Sequence, residues 1–375
     1  MNTILFVDHA AAIGGAENSL LSLLEGLDRS RWTPHLACAG GELARQAAAR
    51  DVPIHILPMF TLRRLRPRPW LRTVHALAWR IEADLLYANT ARAALFAAPA
   101  ALIARRPLVW HMRDYSFVES GPPWAWLDGL LKRLVGGCAA EVVANSHSVA
   151  ARIPVGDRVR VVHNGIDPDR YDPLLDQGEA RERLGMPRDR RVVGMLGRVR
   201  PWKGQETFLR MAALVIEQDA GVDFVVAGGD PFAVGDSYAA GLRRLVEELG
   251  IADRVTFSGH LEDVRPALAA MDVYVHPGEP EPFGLVNLEA MAMEKPVVAF
   301  AHGALPEIVE HGRTGLLVPP GNVEELASAV AILLRDSEGA GRLGREGAQQ
   351  VRDRFAIGRT VTAIEEVLAL ATDRC

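Results

Sequence analysis

A short apolar run followed by an amphipathic stretch recurs along this chain in two series, and that recurrence limits the fold more than any other feature. "TILFVDH" ends in polar residues, and in the following "GGAENSLLSLLEGL" Leu20, Leu23, Leu24 and Leu27 fall at helical spacing. "HLACAG", "IHILPM", "DLLYANT", "LVWHMRD" and "AEVVANS" read as further strands with helical stretches between several of them. Near Val161 the rhythm breaks into "VVHNGIDPDRYDPLLDQGEARERLGMPRDR", rich in Pro, Asp and Arg. It restarts with "VVGMLGRV", "DFVVAGGD", "RVTFSGH", "VYVHPGE", "PVVAFAH" and "GLLVPPG". Alternating β and α predicts parallel sheets with helices on both faces, whose strands are nearly continuous apolar runs. The class is therefore α/β in two similar halves, 1–170 and 191–355, joined by a linker at 171–190 and followed by an amphipathic helix at 356–375. Open parallel sheets bind ligands at the carboxyl ends of their strands, so the cleft between two such domains is the expected site.

Length agrees, because 375 residues exceed one usual core. Cys38, Cys138 and Cys375 are far apart and odd in number, which argues against a disulfide framework and fits a reducing cytoplasm. No Cys/His spacing suggests zinc. "MNTILFVDHA" lacks the basic n-region of a secretory signal, and the longest apolar run, "AALFAAPAALIA", is well short of the ~20 residues a membrane span needs. A cytoplasmic protein, at most peripheral on a membrane, is expected. Residues 1–150 carry 16 Lys+Arg against 12 Asp+Glu, while the whole chain is at −5. The N-terminal half is thus the one expected to meet something anionic. Nucleic acid is not the expected partner, since no recognition motif accompanies the charge.

The chemistry concentrates in "EPEPFGLVNLEAMA", Glu279 to Ala292. Pro282 and Gly284 disfavour helix and "LVNLEAMAME" favours it, which puts Glu281 in a loop and Glu289 on the second turn of a helix starting near Gly284 or Leu285. The first N–H groups of a helix and its dipole form an anion site. Carboxylates on either side of it accept hydrogen bonds, and eight residues at helical rise span roughly 12 Å. That suits a ligand with hydroxyls at both ends and phosphate between them, a nucleotide sugar. Taken alone, the pattern also fits a solvated loop acid and a surface helix acid. "GRVRPWKGQE" adds Arg198 and Lys203 at a strand end before another helix, where two cations neutralise a diphosphate without metal.

"GRVRPWKG" followed about eighty residues on by "EPFGLVNLEAMA" resembles the retaining GT-B glycosyltransferases of family 4, whose signature is Glu-x7-Glu. "GGAE", "VWHMRD", "VVANS", "VHNGID", "VVAGGD", "FSGHLEDV" and "GLLVPPG" extend the resemblance over nearly the whole chain. It implies two Rossmann-like, doubly wound domains facing across a cleft, with the last helix crossing back to the first domain. The first domain would take the acceptor and the second the donor. It implies that Arg198 and Lys203 contact the donor diphosphate, Glu281 the hydroxyls of the transferred sugar and Glu289 those of the ribose. Main chain at Phe283, Gly284 and Leu285 would meet sugar and phosphate, and main chain near Leu261 the base. The implied reaction moves a hexose or N-acetylhexosamine from a UDP- or GDP-sugar to an acceptor hydroxyl, without a cofactor. A lipid-linked or polysaccharide intermediate of envelope or exopolysaccharide synthesis is the expected acceptor. A same-fold sugar-nucleotide epimerase and a non-catalytic nucleotide-sugar binder are the alternatives.

In the first half, Gly14-Gly15 precedes a helix but does not make the GxGxxG of a dinucleotide site. The resemblance places this loop near the donor phosphate and acceptor. His111 ends a strand, and the family's matching histidine faces the transferred sugar. The family often has His-Asp here, whereas this chain has His-Met-Arg-Asp, so Asp114 is displaced. "TLRRLRPRPWLR" gathers Arg63, Arg64, Arg66, Arg68 and Trp70, and "PPWAWLDGLLKRLV" adds tryptophans on an amphipathic segment. Both suit an anionic membrane surface or a lipid-phosphate acceptor, and both also fit ordinary loop and core-helix roles. Asp167-Pro168-Asp169 resembles a metal-holding DxD, but the cations above can serve the phosphates and no metal is expected.

Overall fold

A computed structural model describes residues 1–57, 67–116, 125–229 and 236–373. The chain divides into two compact units, Met1–Gly165 with Ile357–Cys375, and Ile166–Ala356. The first holds seven parallel strands: β1 Asn2–Val7, β2 Trp32–Cys38, β3 Ile54–Ile56, β4 Leu85–Ala88, β5 Leu108–Met112, β6 Glu141–Ala144 and β7 Val159–Val161. Their order is β3-β2-β1-β4-β5-β6-β7. The second holds six: β8 Arg191–Leu196, β9 Val222–Ala227, β10 Val255–Gly259, β11 Val273–His276, β12 Val297–Phe300 and β13 Gly315–Val318, in the order β10-β9-β8-β11-β12-β13. Both sheets step outward from their first strand and then reverse, which makes switch points between β1 and β4 and between β8 and β11.

Alternate residues of each strand enter separate cores. In the first unit Leu5, Val7, Leu86 and Trp110 pack beneath the helices Pro67–Arg80, Ala91–Ala104 and Ala125–Cys138. Ile4, Phe6, Tyr87 and Val109 pack on the other face, under the helices Gly15–Gly26 and Ile357–Asp373. Val361, Ile364, Val367, Leu368 and Ala371 of the last helix lie on one face at helical spacing, and all are buried there. Burying each large side chain contributes roughly 1.5–3 kcal/mol.

The stretch 171–190, read from sequence as a linker, packs with the second unit. Its helix Gln177–Arg183 lies against the helix Arg265–Ala270. Buried Arg181 donates from Nε to the Ala270 carbonyl at 3.0 Å and from Nη2 to Asp272 Oδ2 at 2.7 Å. A charged composition therefore marks a half-buried ion pair as well as a connection. β7 was not read from sequence. It is a three-residue edge strand carrying exposed Arg160, so it lacks the continuous apolar run of its neighbours.

Candidate functional site

The loops after β8 and β11 meet at the second unit's switch point, and glycine makes the meeting close. Gly204 has φ +78°, and a Cβ there would lie 2.2 Å from the Pro277 carbonyl oxygen. Glu279 N–H donates to the Trp202 carbonyl at 2.8 Å. Gly228, at φ +132°, similarly brings the end of β9 against the Gly197 carbonyl, 2.0 Å from where a Cβ would stand. Side chains at these positions would push the strand-end loops apart.

This docking carries Lys203 to Glu281, where its Nζ donates to Oε1. His276 Nε2, at the end of β11, is 3.7 Å from the same oxygen. Burial raises the cost of ionising Glu281, but Lys203, His276 and Arg198 outweigh it and hold the carboxyl below its ordinary range. Burial also pushes His276 down to about 4, against the pull of Glu281, so the imidazole is neutral at pH 7. The Glu281 carbonyl accepts from Ala304 N–H at 3.0 Å, and Phe283 is buried with its ring edge-on to Phe355. Gly284, at φ +92°, is the N-cap of the helix Leu285–Ala292, and Asn287 Nδ2 donates to its carbonyl at 3.0 Å.

Glu289, on the second turn of that helix, lies near the Tyr171 hydroxyl. Burial pushes its carboxyl up to about 7, and the neighbouring Tyr171 hydroxyl only partly offsets this. Tyr171, Leu261, Val264, Leu285 and Val286 are partly buried against one core of the second unit. The second unit thus brings together Arg198, Lys203 and Glu281 at one end of a short helix, with Glu289 further along it.

In the first unit, strand ends meet in a buried polar network. His111, one residue before the end of β5, is fully buried, and its Nδ1 lies 2.5 Å from the Tyr87 hydroxyl. Its Nε2 has no hydrogen-bond partner among the described residues. Burial, reinforced by the nearby Arg113 cation, keeps this imidazole neutral. Arg113 donates to Asn89 Oδ1 at 2.8 Å and to Asn164 Oδ1 at 2.7 Å, and Asn89 donates to Asp8 Oδ2 at 2.7 Å. Gly14 is the N-cap of the helix that Gly15 begins, and its N–H donates to Glu17 Oε2 at 2.8 Å. Burial, with Asp8 close by, raises the Glu17 carboxyl to about 7.

Arg63, Arg64 and Arg66 lie outside the described residues, as do the side chains of Arg68 and Trp70. Asp167 caps a short turn, accepting from Asp169 N–H at 3.2 Å and pairing with Arg170 at 3.4 Å. Sequence reasoning passed over Tyr171, His276 and Arg113. The position of His276 at a strand end before the two-acid stretch was the available signal. Arg113 was visible only as the residue displacing Asp114.

Residues 13–170 match the family model Glycosyltransferase Family 4, and residues 176–350 match Glycosyl transferases group 1. HepE from Anabaena, solved in complex with UDP-glucose, is 31% identical, with 98% of this chain and 99% of that chain covered and a TM-score of 0.84. The chain belongs to glycosyltransferase family 4 and has the GT-B fold. Sucrose-phosphate synthase from Thermosynechococcus elongatus shares that fold at 23% identity, with 100% of each chain covered and a TM-score of 0.84. D-inositol 3-phosphate glycosyltransferase from Mycobacterium tuberculosis is 41% identical over 211 residues, 55% of this chain and 42% of that protein. The match to that curated relative therefore spans less than half of its length.

Proposed function

We propose that the protein is a retaining glycosyltransferase that moves a hexose or N-acetylhexosamine from a nucleoside diphosphate sugar to an acceptor hydroxyl. The observation that carries this reading is the Lys203–Glu281 pair, with Arg198 beside it, at the start of the helix that bears Glu289. Arg198, Lys203 and the helix N-terminus stabilise charge as it develops on the departing diphosphate. Glu281 is ionised and accepts from hydroxyls of the transferred sugar. Ribose hydroxyls donate to Glu289, and main chain near Leu261 meets the base. His111 presents Nε2 to the transferred sugar, and Gly14-Gly15 lets backbone approach the phosphate. Main chain at Phe283, Gly284 and Leu285 completes the contacts. UDP-glucose is the first donor to try, because HepE was solved with it. The basic first 150 residues support a lipid-linked or polysaccharide acceptor carrying phosphate, at the inner face of a membrane.

Proton NMR of UDP-glucose turnover, with an alkyl glycoside or water as acceptor, tests the reaction. The expected first product is α-configured, formed together with UDP. A β-configured first product contradicts retention. An isomerised UDP-sugar formed without acceptor makes the protein an epimerase. Failure to release UDP or GDP from any donor sugar leaves a binding protein.

A further inference from the structure

The helices Pro67–Arg80, Ala91–Ala104 and Ala125–Cys138 lie side by side over one face of the first unit's sheet. Their inner sides fill the core through Val74, Leu77, Ala94, Ala97 and Val135. Their outer sides are not polar. Trp126, Leu130 and Leu134 recur every four residues on the third helix, and all three are exposed, Trp126 to 67%. Leu102 and Ile103 are exposed at the end of the second helix, and Trp79 is 62% exposed near the end of the first. Scattered exposed leucines are ordinary, but two tryptophans and four large aliphatics on one helix layer mark an interaction surface.

Charge identifies the occupant. The three helices contain six Lys or Arg and one acid, Asp128, in a chain whose net charge is −5. That acid is neutralised by buried Lys132, whose Nζ lies 2.7 Å from it. Arg80, Arg105, Arg106 and Arg133 are exposed beside the apolar side chains, with exposed Glu82 the acid just past the first helix. A second copy of the chain, docked symmetrically through the same face, would set arginines against arginines. Arginines mixed with solvent-exposed tryptophan and leucine match the headgroup region of an anionic bilayer, where apolar side chains reach the acyl boundary and cations meet phosphate. No described helix is long and apolar enough to cross a membrane. We propose that this helix layer docks the protein on anionic phospholipid membranes. The inference rests on the first unit alone and is independent of the donor-site reading.

The test is co-sedimentation of the full chain with vesicles of phosphatidylcholine alone or mixed with phosphatidylglycerol. Binding is expected to the mixed vesicles only, and to be lost at high salt. An arginine near such a surface contributes about a fivefold gain in partitioning, so Arg105→Ser with Arg106→Ser lowers it roughly 25-fold. Trp126→Ser with Leu134→Ser abolishes it. Both double variants change exposed positions and are expected to melt as the wild type does by circular dichroism. No binding to the mixed vesicles, or binding that both variants retain, overturns the proposal. A dimer seen by light scattering without lipid, and lost in the Trp126 variant, would instead make the face a protein interface.

Discussion

Glu281 and Glu289 stand on the same short stretch, yet their surroundings push them in opposite directions. Burial opposes the charge on each. Glu281 has Lys203, His276 and Arg198 to compensate, whereas Glu289 has only the Tyr171 hydroxyl. The depressed Glu281 pKa stabilises the fold above its unfolded value, a contribution lost as pH falls through the folded one. The raised Glu289 pKa works the other way. Its contribution is complete below the ordinary 4.5 and is lost as pH rises through about 7. Glu289→Gln should therefore change stability little at pH 4 and raise it by about 1–3 kcal/mol at pH 8. The same variant should weaken UDP binding roughly tenfold, because a carboxyl oxygen that accepts from the ribose hydroxyls is replaced by an amide donor. Urea melts at the two pH values check this, and a variant less stable than wild type at pH 8 would show that Glu289 is not strained. The two glutamates and the two cations were legible in sequence because each lies in a short pattern that predicts its local structure. Tyr171 was not, since its partner lies more than a hundred positions away and its own neighbourhood, "DPDRYDP", has no periodicity.

At the scale of elements, the strands were legible because helices cover both faces of each sheet and leave continuous apolar runs. β7 escaped because a short edge strand need not be apolar on both faces. The loop contacts that build the site were less legible still, since they depend on glycines whose role appears only in three dimensions. Gly204 and Gly250 both have positive φ, +78° and +67°, but only Gly204 has a backbone atom in the way of a Cβ. Gly250→Ala should cost about 1–2 kcal/mol, the strain of the left-handed backbone alone. Gly204→Ala carries that strain plus the clash with Pro277. It should destabilise by roughly 3 kcal/mol or more and separate Lys203 from Glu281, weakening nucleotide binding. Equal losses of melting temperature in the two variants would mean that the loops are not held together as described.

At the scale of the molecule, two units repeat one plan and use it differently. Each sheet reverses beside its first strand, and each gathers polar side chains at the carboxyl ends of its strands. In the first unit those ends are tied into a buried network around Arg113, and His111 keeps one nitrogen unpaired among the described residues. In the second they present cations and carboxylates around a helix start, the arrangement proposed above to hold a nucleoside diphosphate. The assignment of donor contacts to Arg198, Lys203, Glu281 and Glu289 is the central claim. Isothermal titration of UDP, with chelator and then with magnesium, tests it most directly. The account predicts binding that is indifferent to the metal and that falls roughly tenfold to hundredfold in Arg198→Ala, the worth of a hydrogen bond to a charged group. Binding that requires magnesium, or that survives unchanged in Arg198→Ala, would contradict it.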